Sequence, residues 1–199
     1  MDTYRVQVTF VEPLLGTVPK DKDIYAGYIA SIAALTDEAL AEELETVPVV
    51  EEKGWTGFHT LENGQPALYD YVVKGFFKDA CGMLRRTRGS ESAKLKAYKK
   101  IIDGLVFVKP RRIPLILPDG AALQMVERPL RAQTAQGERV ALARSDAAPA
   151  GTVMRFTVTV LGEVTEKTLR EWFDYGVLRG FGQWRNGGYG RFQYEIEQG

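Results

Sequence analysis

Eleven residues late in the chain, Gly180 to Gly190, read GFGQWRNGGYG and hold five glycines. Glycine adopts positive φ without steric cost and lets a second backbone come close. Successive exposed N–H groups in such a segment can cradle a phosphate. Trp184 and Tyr189 add flat surfaces for stacking, and Arg185 and Arg191 add positive charge. The chemistry on offer is recognition of a phosphorylated, planar ligand. A long tight turn between a helix and a strand would satisfy the glycine density equally well. A dinucleotide fingerprint is excluded, because it needs a strand, then glycines, then a helix, and here helical spacing precedes the glycines.

Composition removes other chemistries. One histidine, His59, and one cysteine, Cys81, in 199 residues exclude an internal disulfide and the usual zinc ligand sets. No metal and no cofactor are expected. With 45% apolar and 26% charged residues the chain is a globular mixture, not a disordered one. Its length suits a single domain over 1–199. No apolar run approaches the roughly 20 residues of a spanning helix. Met1 to Arg5 lacks the basic and apolar regions of a signal peptide, so a cytoplasmic protein without membrane contact is expected.

The 26 basic and 26 acidic residues cancel overall but not locally. Residues 35–62 hold eight acids and one base, whereas residues 74–112 hold twelve bases and three acids. The second segment is a candidate phosphate-binding surface. The plainer alternative is a solvated helix face neutralised by the acidic segment beside it.

The elements that must position these residues follow from periodicity. Tyr4 to Val11 alternates, with Tyr4, Val6, Val8 and Phe10 on one face, and predicts a half-buried strand. Residues 14–22 read as a loop. Helices are expected over 23–35 and 37–45, then a short extended piece at 47–50. Residues 54–65 read as a hairpin or irregular loop, 67–73 as extended, and 75–86 as a helix with Phe77, Ala80, Cys81 and Leu84 in its apolar stripe. Cys81, Phe76, Phe77, Trp172 and Phe173 are expected in the core. Gly82, costly in a helix, marks a close approach. A basic helix or helical hairpin is expected over 90–102, with strands at 105–108, 113–117, 124–129 and 139–143. Val153 to Val160 alternates again. Thr165 caps a helix to about Leu178, and Arg191 to Glu197 forms the last strand. The order strand, helix, strand occurs twice, with a long insertion in the first half. That predicts an α+β, ferredoxin-like (RRM-like) βαββαβ sheet with helices on one face.

Three passages, in order, resemble the RAMP superfamily, the ferredoxin-like RNA-binding subunits of CRISPR effector complexes, and above all the type III backbone subunits. Gly180 to Phe192, GFGQWRNGGYGRF, is similar to the family's C-terminal glycine-rich loop and last strand. Gly64 to Gly75, leading into Phe76 to Arg86, is similar to its "PyIPGSSLKGxLR" element, with Lys74-Gly75 retained from the Ser-Lys-Gly turn. Glu138-Arg139-Val140, then Ala148 to Thr152 and Phe156 to Val160, is similar to the passage before the second helix. Residues of about 12–63 and 90–130 match no part of the family and read as insertions in one RAMP-like domain.

The resemblance implies single-stranded RNA, with single-stranded DNA as the alternative, held by phosphate contacts and stacking. It implies side-by-side assembly with copies of itself or related RAMP subunits. Lys74 at a helix start is placed for a phosphate, with Lys78, Arg85 and Arg86 along or after that helix. Gly182, Trp184, Arg185, Gly187, Gly188, Tyr189 and Arg191 supply the loop contacts. Arg139 is either a phosphate contact or half of an ion pair with Glu138. Two other readings stand beside this one. An endoribonuclease would use His59 as acid–base group, or Asp21 or Asp23 in place of the aspartate that type III backbone subunits use to cut RNA. A phage or mobile-element protein would engage or mimic a CRISPR complex through the acidic stretch 35–52.

Overall fold

The computed structural model describes residues 1–21, 54–134 and 137–199, with side chains outside 130–141. The first elements are β1 (Asp2–Phe10), β2 (Leu14–Leu15), β3 (Val18–Pro19), β4 (Trp55–Gly57), β5 (His59–Thr60) and β6 (Pro66–Tyr69). Next come α1 (Asp70–Leu84), α2 (Tyr98–Leu105), β7 (Val106–Lys109) and β8 (Arg112–Ile116). The chain continues with β9 (Gln124–Thr134), β10 (Gly137–Ala148), β11 (Val153–Val160), α3 (Glu166–Arg179) and β12 (Phe192–Gln198). The helices and the extended piece expected over 23–50, and Asp23 with them, lie outside the described residues.

Alternation sets the main sheet. Tyr4, Val6, Val8 and Phe10 on β1 and Met154, Phe156, Val158 and Val160 on β11 are buried on one face. A one-residue slip would expose all of them. β1 pairs antiparallel with β12 on one side and β11 on the other, and β7 pairs antiparallel with β11 beyond it. The order β12–β1–β11–β7 is fourth, first, third and second strand of a βαββαβ unit, with α1 and α3 as the crossovers. The fold is α+β and ferredoxin-like.

Both helices cover the buried face. Phe76 and Phe77 of α1 meet Trp172 and Phe173 of α3, and Phe173 meets Phe156 of the sheet. Cys81 is buried among them. α3 begins as its sequence says, with the Thr165 hydroxyl accepting from the Thr168 N–H. The Glu171 carboxylate accepts from the N–H groups of Glu91 and Ser92, and the Ser92 hydroxyl accepts from the buried Trp172 indole at 3.0 Å. These bonds tie the turn after α1 to α3.

Several boundaries differ from the sequence reading. α1 starts at Asp70, not at 75, because the Asp70 N–H donates to the Arg111 carbonyl at 2.8 Å and the Asp70 carboxylate accepts from Tyr71 at 2.8 Å. Val73 then falls on the buried stripe with Phe76, Phe77 and Ala80, so packing overrides the strand preference of Val72-Val73. The basic helix or helical hairpin expected over 90–102 is a 3-10 turn at Ser92–Lys94 followed by α2. Gly82 marks a close approach as expected, since a Cβ there would lie 2.9 Å from the Tyr98 hydroxyl.

A second sheet, unforeseen in the sequence, has the order β2–β10–β4–β3 with β9 also on β10. β4 and β5 do not form a hairpin. β4 joins this sheet, while β5 extends the first one through β6 and β8. β9 and β10 form a long hairpin in register from Gln124↔Ala147 to Thr134↔Gly137.

One irregularity shapes the open face of the main sheet. β11 pairs with β7 at Thr157↔Lys109 and with β8 at Val153↔Ile116. Four steps along β11 therefore match seven along its neighbour, leaving three extra residues around Pro110–Arg112. The chain bulges there, and β8 turns away to pair with β6 at Tyr69↔Arg112.

Candidate nucleic-acid interface

The bulge and the start of α1 wall off a concavity of about 1080 Å³ on the face of the sheet opposite the helices. Its floor comes from the residues that alternate with the core: Arg5 and Gln7 on β1, Arg155 and Thr157 on β11, and Phe107 and Lys109 on β7. Pro110 and Arg111 of the bulge, with Asp70 and Lys74 of α1, form one wall. Glu195 and Glu197 of β12 form the opposite border. Five bases face three acids in this hollow, and Phe107, 44% exposed, offers an aromatic surface.

Two of its groups are preset. Arg155 Nε donates to Gln7 Oε1 at 2.7 Å, which holds the guanidinium across the floor. Lys74 Nζ donates to the Asp103 carbonyl at 2.9 Å and lies 5.9 Å from the centre of the Phe107 ring. Partial burial lowers the Lys74 pKa below its ordinary value, while Asp103 and Asp70 pull the other way. Burial also raises the pKa of the neighbouring Asp70 carboxyl. Arg5, Gln7, Phe107 and Arg155 were not singled out in the sequence. The alternation put Arg5 and Gln7 on the outer face, but nothing local tells an open face from a covered one.

The other expected contacts lie elsewhere. Lys78 forms an ion pair with Asp103 at 2.5 Å. Arg85 and Arg86 are exposed at the far end of α1, with Arg85 5.3 Å from the Tyr98 ring. The Arg139 side chain lies outside the described residues. No residue of the glycine loop lines the hollow, so Lys74 and the loop belong to different surfaces.

The loop is largely occupied with its own closure. The N–H groups of Gly180, Phe181, Gly187, Gly188 and Gly190 all donate to backbone carbonyls of the chain, so these five do not form a phosphate cradle. Gly190 has φ 72°, and a Cβ there would lie 2.1 Å from the Phe181 carbonyl oxygen, so glycine is required by close approach. Trp184 takes a left-handed φ of 51°. Its ring stacks on Tyr189 at 5.2 Å, and the Arg128 guanidinium lies 4.6 Å from it. Arg185 pairs with Asp79 of α1 at 2.5 Å. The Gln183 amide nitrogen reaches the Gly16 carbonyl and the hydroxyls of Thr56 and Ser145, which fastens the loop to the second sheet. Gly182, Gly187, Gly188 and Arg191 remain at or near the surface, the last exposed. The loop's contacts, with Arg128 among them, come from distant parts of the chain and left no local signal.

His59 is not a surface loop residue. It lies on β5, 1% exposed, with its ring 4.5 Å from Tyr69. Burial, with the Arg112 charge in support, lowers its pKa to about 3, so it is neutral near pH 7 and enclosed. Asp21 is half-buried at the edge of the described residues. Among the described residues, no group of three or more His, Cys, Asp or Glu side chains could hold a metal ion, and no helix is long and apolar enough to cross a membrane.

No protein-family model matches this sequence, and no curated protein matches it. Among solved structures, the chain is similar to one in the cryo-EM structure of the type III-B Cmr-beta bound to cognate target RNA. The TM-score is 0.54 and the identity 14%, with 99% of this chain and 60% of that chain covered. This chain thus spans about 60% of that neighbour's length, and the likeness is one of fold.

Proposed function

We propose that this protein binds single-stranded RNA across the open face of its ferredoxin-like sheet, as a RAMP-like subunit working beside copies of itself or related subunits of a CRISPR-type assembly. The observation that carries the reading is the hollow itself, with Arg5, Lys74, Lys109, Arg111 and Arg155 around an exposed Phe107. Phosphates meet the basic side chains, and a base stacks on Phe107, a contact worth roughly 1–3 kcal/mol in other single-strand binders. A splayed single strand suits such a sheet face, whereas the deep narrow groove of duplex RNA hides its base edges. The fold shared with a chain of an RNA-bound Cmr complex supports the same reading. The endoribonuclease reading loses its histidine, because an imidazole 1% exposed cannot reach a ribose hydroxyl.

The test is fluorescence anisotropy with labelled single-stranded RNA and DNA over a salt series. Binding should weaken linearly in log salt, and each phosphate contact removed should lower the slope by about 0.7. Lys109→Ala, Arg155→Ala and Phe107→Ala should each weaken binding, whereas Arg86→Ala, away from the hollow, should change it little. Equal losses from all four, or no binding at low salt, would overturn the reading.

A further inference from the structure

The hollow is not uniformly basic; its charge is sorted by strand. On the side formed by β11, β7, the bulge and α1 stand four bases, Arg155, Lys109, Arg111 and Lys74, and one acid, Asp70. On the side formed by β1 and β12 stand one base, Arg5, and two acids, Glu195 and Glu197. Register fixes this order: Glu197 faces Arg5, Arg5 faces Thr157, and Thr157 faces Lys109, while Glu195 faces Gln7 and Gln7 faces Arg155. Both glutamates are exposed, and among the described residues neither makes an ion pair. Their charge is therefore turned on whatever occupies the face.

We infer that Glu195 and Glu197 are specificity-determining residues that keep double-stranded nucleic acid off this face while leaving a track for one strand; the inference rests on the single-strand reading above. Neighbouring strands lie about 4.8 Å apart, so β7 and β12 are separated by roughly 14 Å. A single backbone seated along Phe107, Lys109 and Arg111 stays on the basic side. A duplex brings a second backbone, which stands about 12 Å away across a B-form major groove and across a wide, shallow minor groove in A-form RNA. That backbone lands at the β1–β12 border, where two carboxylates outweigh one guanidinium. Discrimination by repulsion of the wrong partner needs no contact with the right one.

The experiment compares the wild type with a Glu195→Gln/Glu197→Gln variant, using a single-stranded RNA and the duplex of the same sequence at one low salt concentration. Both side chains are exposed, so the variant should melt with the wild type. Duplex affinity should rise about tenfold, falling off at high salt as screening removes the difference, while single-strand affinity rises less than about threefold. Equal gains for both probes, or no gain for the duplex, would overturn the inference alone. A wild-type chain that binds neither probe would overturn the single-strand reading and this inference with it.

Discussion

The guanidinium of Arg128 lies 4.6 Å from the centre of the Trp184 ring, and that contact joins the β9–β10 hairpin to the glycine loop. Arg128 is 6% exposed, donates from Nη1 to the Ser145 hydroxyl at 3.2 Å, and among the described residues its buried Nε has no hydrogen-bond partner. Burial lowers its pKa, with the Tyr189 hydroxyl acting in the other direction. Such cation–ring contacts contribute roughly 0.5–2 kcal/mol. Arg128→Ala should therefore cost about 1–2 kcal/mol in urea unfolding and redden the Trp184 emission. Arg128→Met keeps most of the volume and removes the orphaned Nε, so its loss should be smaller. A Trp184→Phe background should abolish the emission change.

On the proposed reading, Lys74 should make RNA binding sensitive to alkaline pH. Its pKa lies below the ordinary 10.5 because partial burial desolvates its ammonium. As pH rises, its ammonium is lost earlier than that of a solvated lysine, and the proposed phosphate contact should go with it. Lys74→Arg keeps the charge throughout. Wild-type affinity should begin to fall at lower pH than that of the arginine variant, and anisotropy titrations across the alkaline range would show it. Coincident pH profiles would place Lys74 off the RNA path.

His59 makes the fold sensitive to acid. Its pKa falls from 6.5 in the unfolded chain to about 3 in the folded one. Between those values the unfolded chain binds a proton that the folded chain does not, so stability rises with pH and is lost as pH falls through the window. Each unit of pKa difference corresponds to about 1.4 kcal/mol. His59→Gln should flatten this part of the stability–pH curve, read from urea midpoints. The chain has a single histidine, so one imidazole NMR signal should show no titration from pH 8 down to pH 5, as a flat baseline well above the value of about 3.

Two loop glycines separate close approach from backbone freedom. Both Gly188 and Gly190 have positive φ. Among the described residues, a Cβ on Gly188 meets nothing within 4 Å, whereas one on Gly190 would lie 2.1 Å from the Phe181 carbonyl oxygen. Gly188→Ala should cost about 1–2 kcal/mol, the ordinary left-handed penalty. Gly190→Ala should cost more than about 3 kcal/mol, because the Phe181–Gly190 closure must open as well. Thermal melts of the two variants would distinguish these cases.

Much of the frame was legible in the chain. Val153 to Val160 and Tyr4 to Phe10 alternate cleanly because one face is core and the other is not, and Thr165 caps α3 because its side chain satisfies a free N–H. Val72-Val73 misled, because helical burial against Phe76 and Phe77 outweighs local strand preference. The second sheet was invisible, since β2, β3 and β4 are two or three residues long and owe their pairing to partners far away in sequence, β2 and β4 to β10 and β3 to β4. The site was only partly legible. Lys74, Lys109 and Arg111 stood out as part of a basic run, but Arg5 and Arg155 are isolated in sequence and meet only through the register Arg5↔Thr157 and Gln7↔Arg155.

The three extra residues around Pro110–Arg112 carry a consequence for how the open face of the sheet can be varied. The stretch from Val106 to Ile116 supplies the floor at Phe107 and Lys109 and the rim at Arg111. Through the Arg111 carbonyl, it also anchors the start of the helix that bears Lys74. None of the bulged residues belongs to the core. Lengthening or shortening this one segment would widen or narrow the groove and shift its lysine together, while the packed layer beneath stayed as it is. The bulge is thus a place for tuning: a single short indel there should change the calibre of the face rather than the layer packed beneath it.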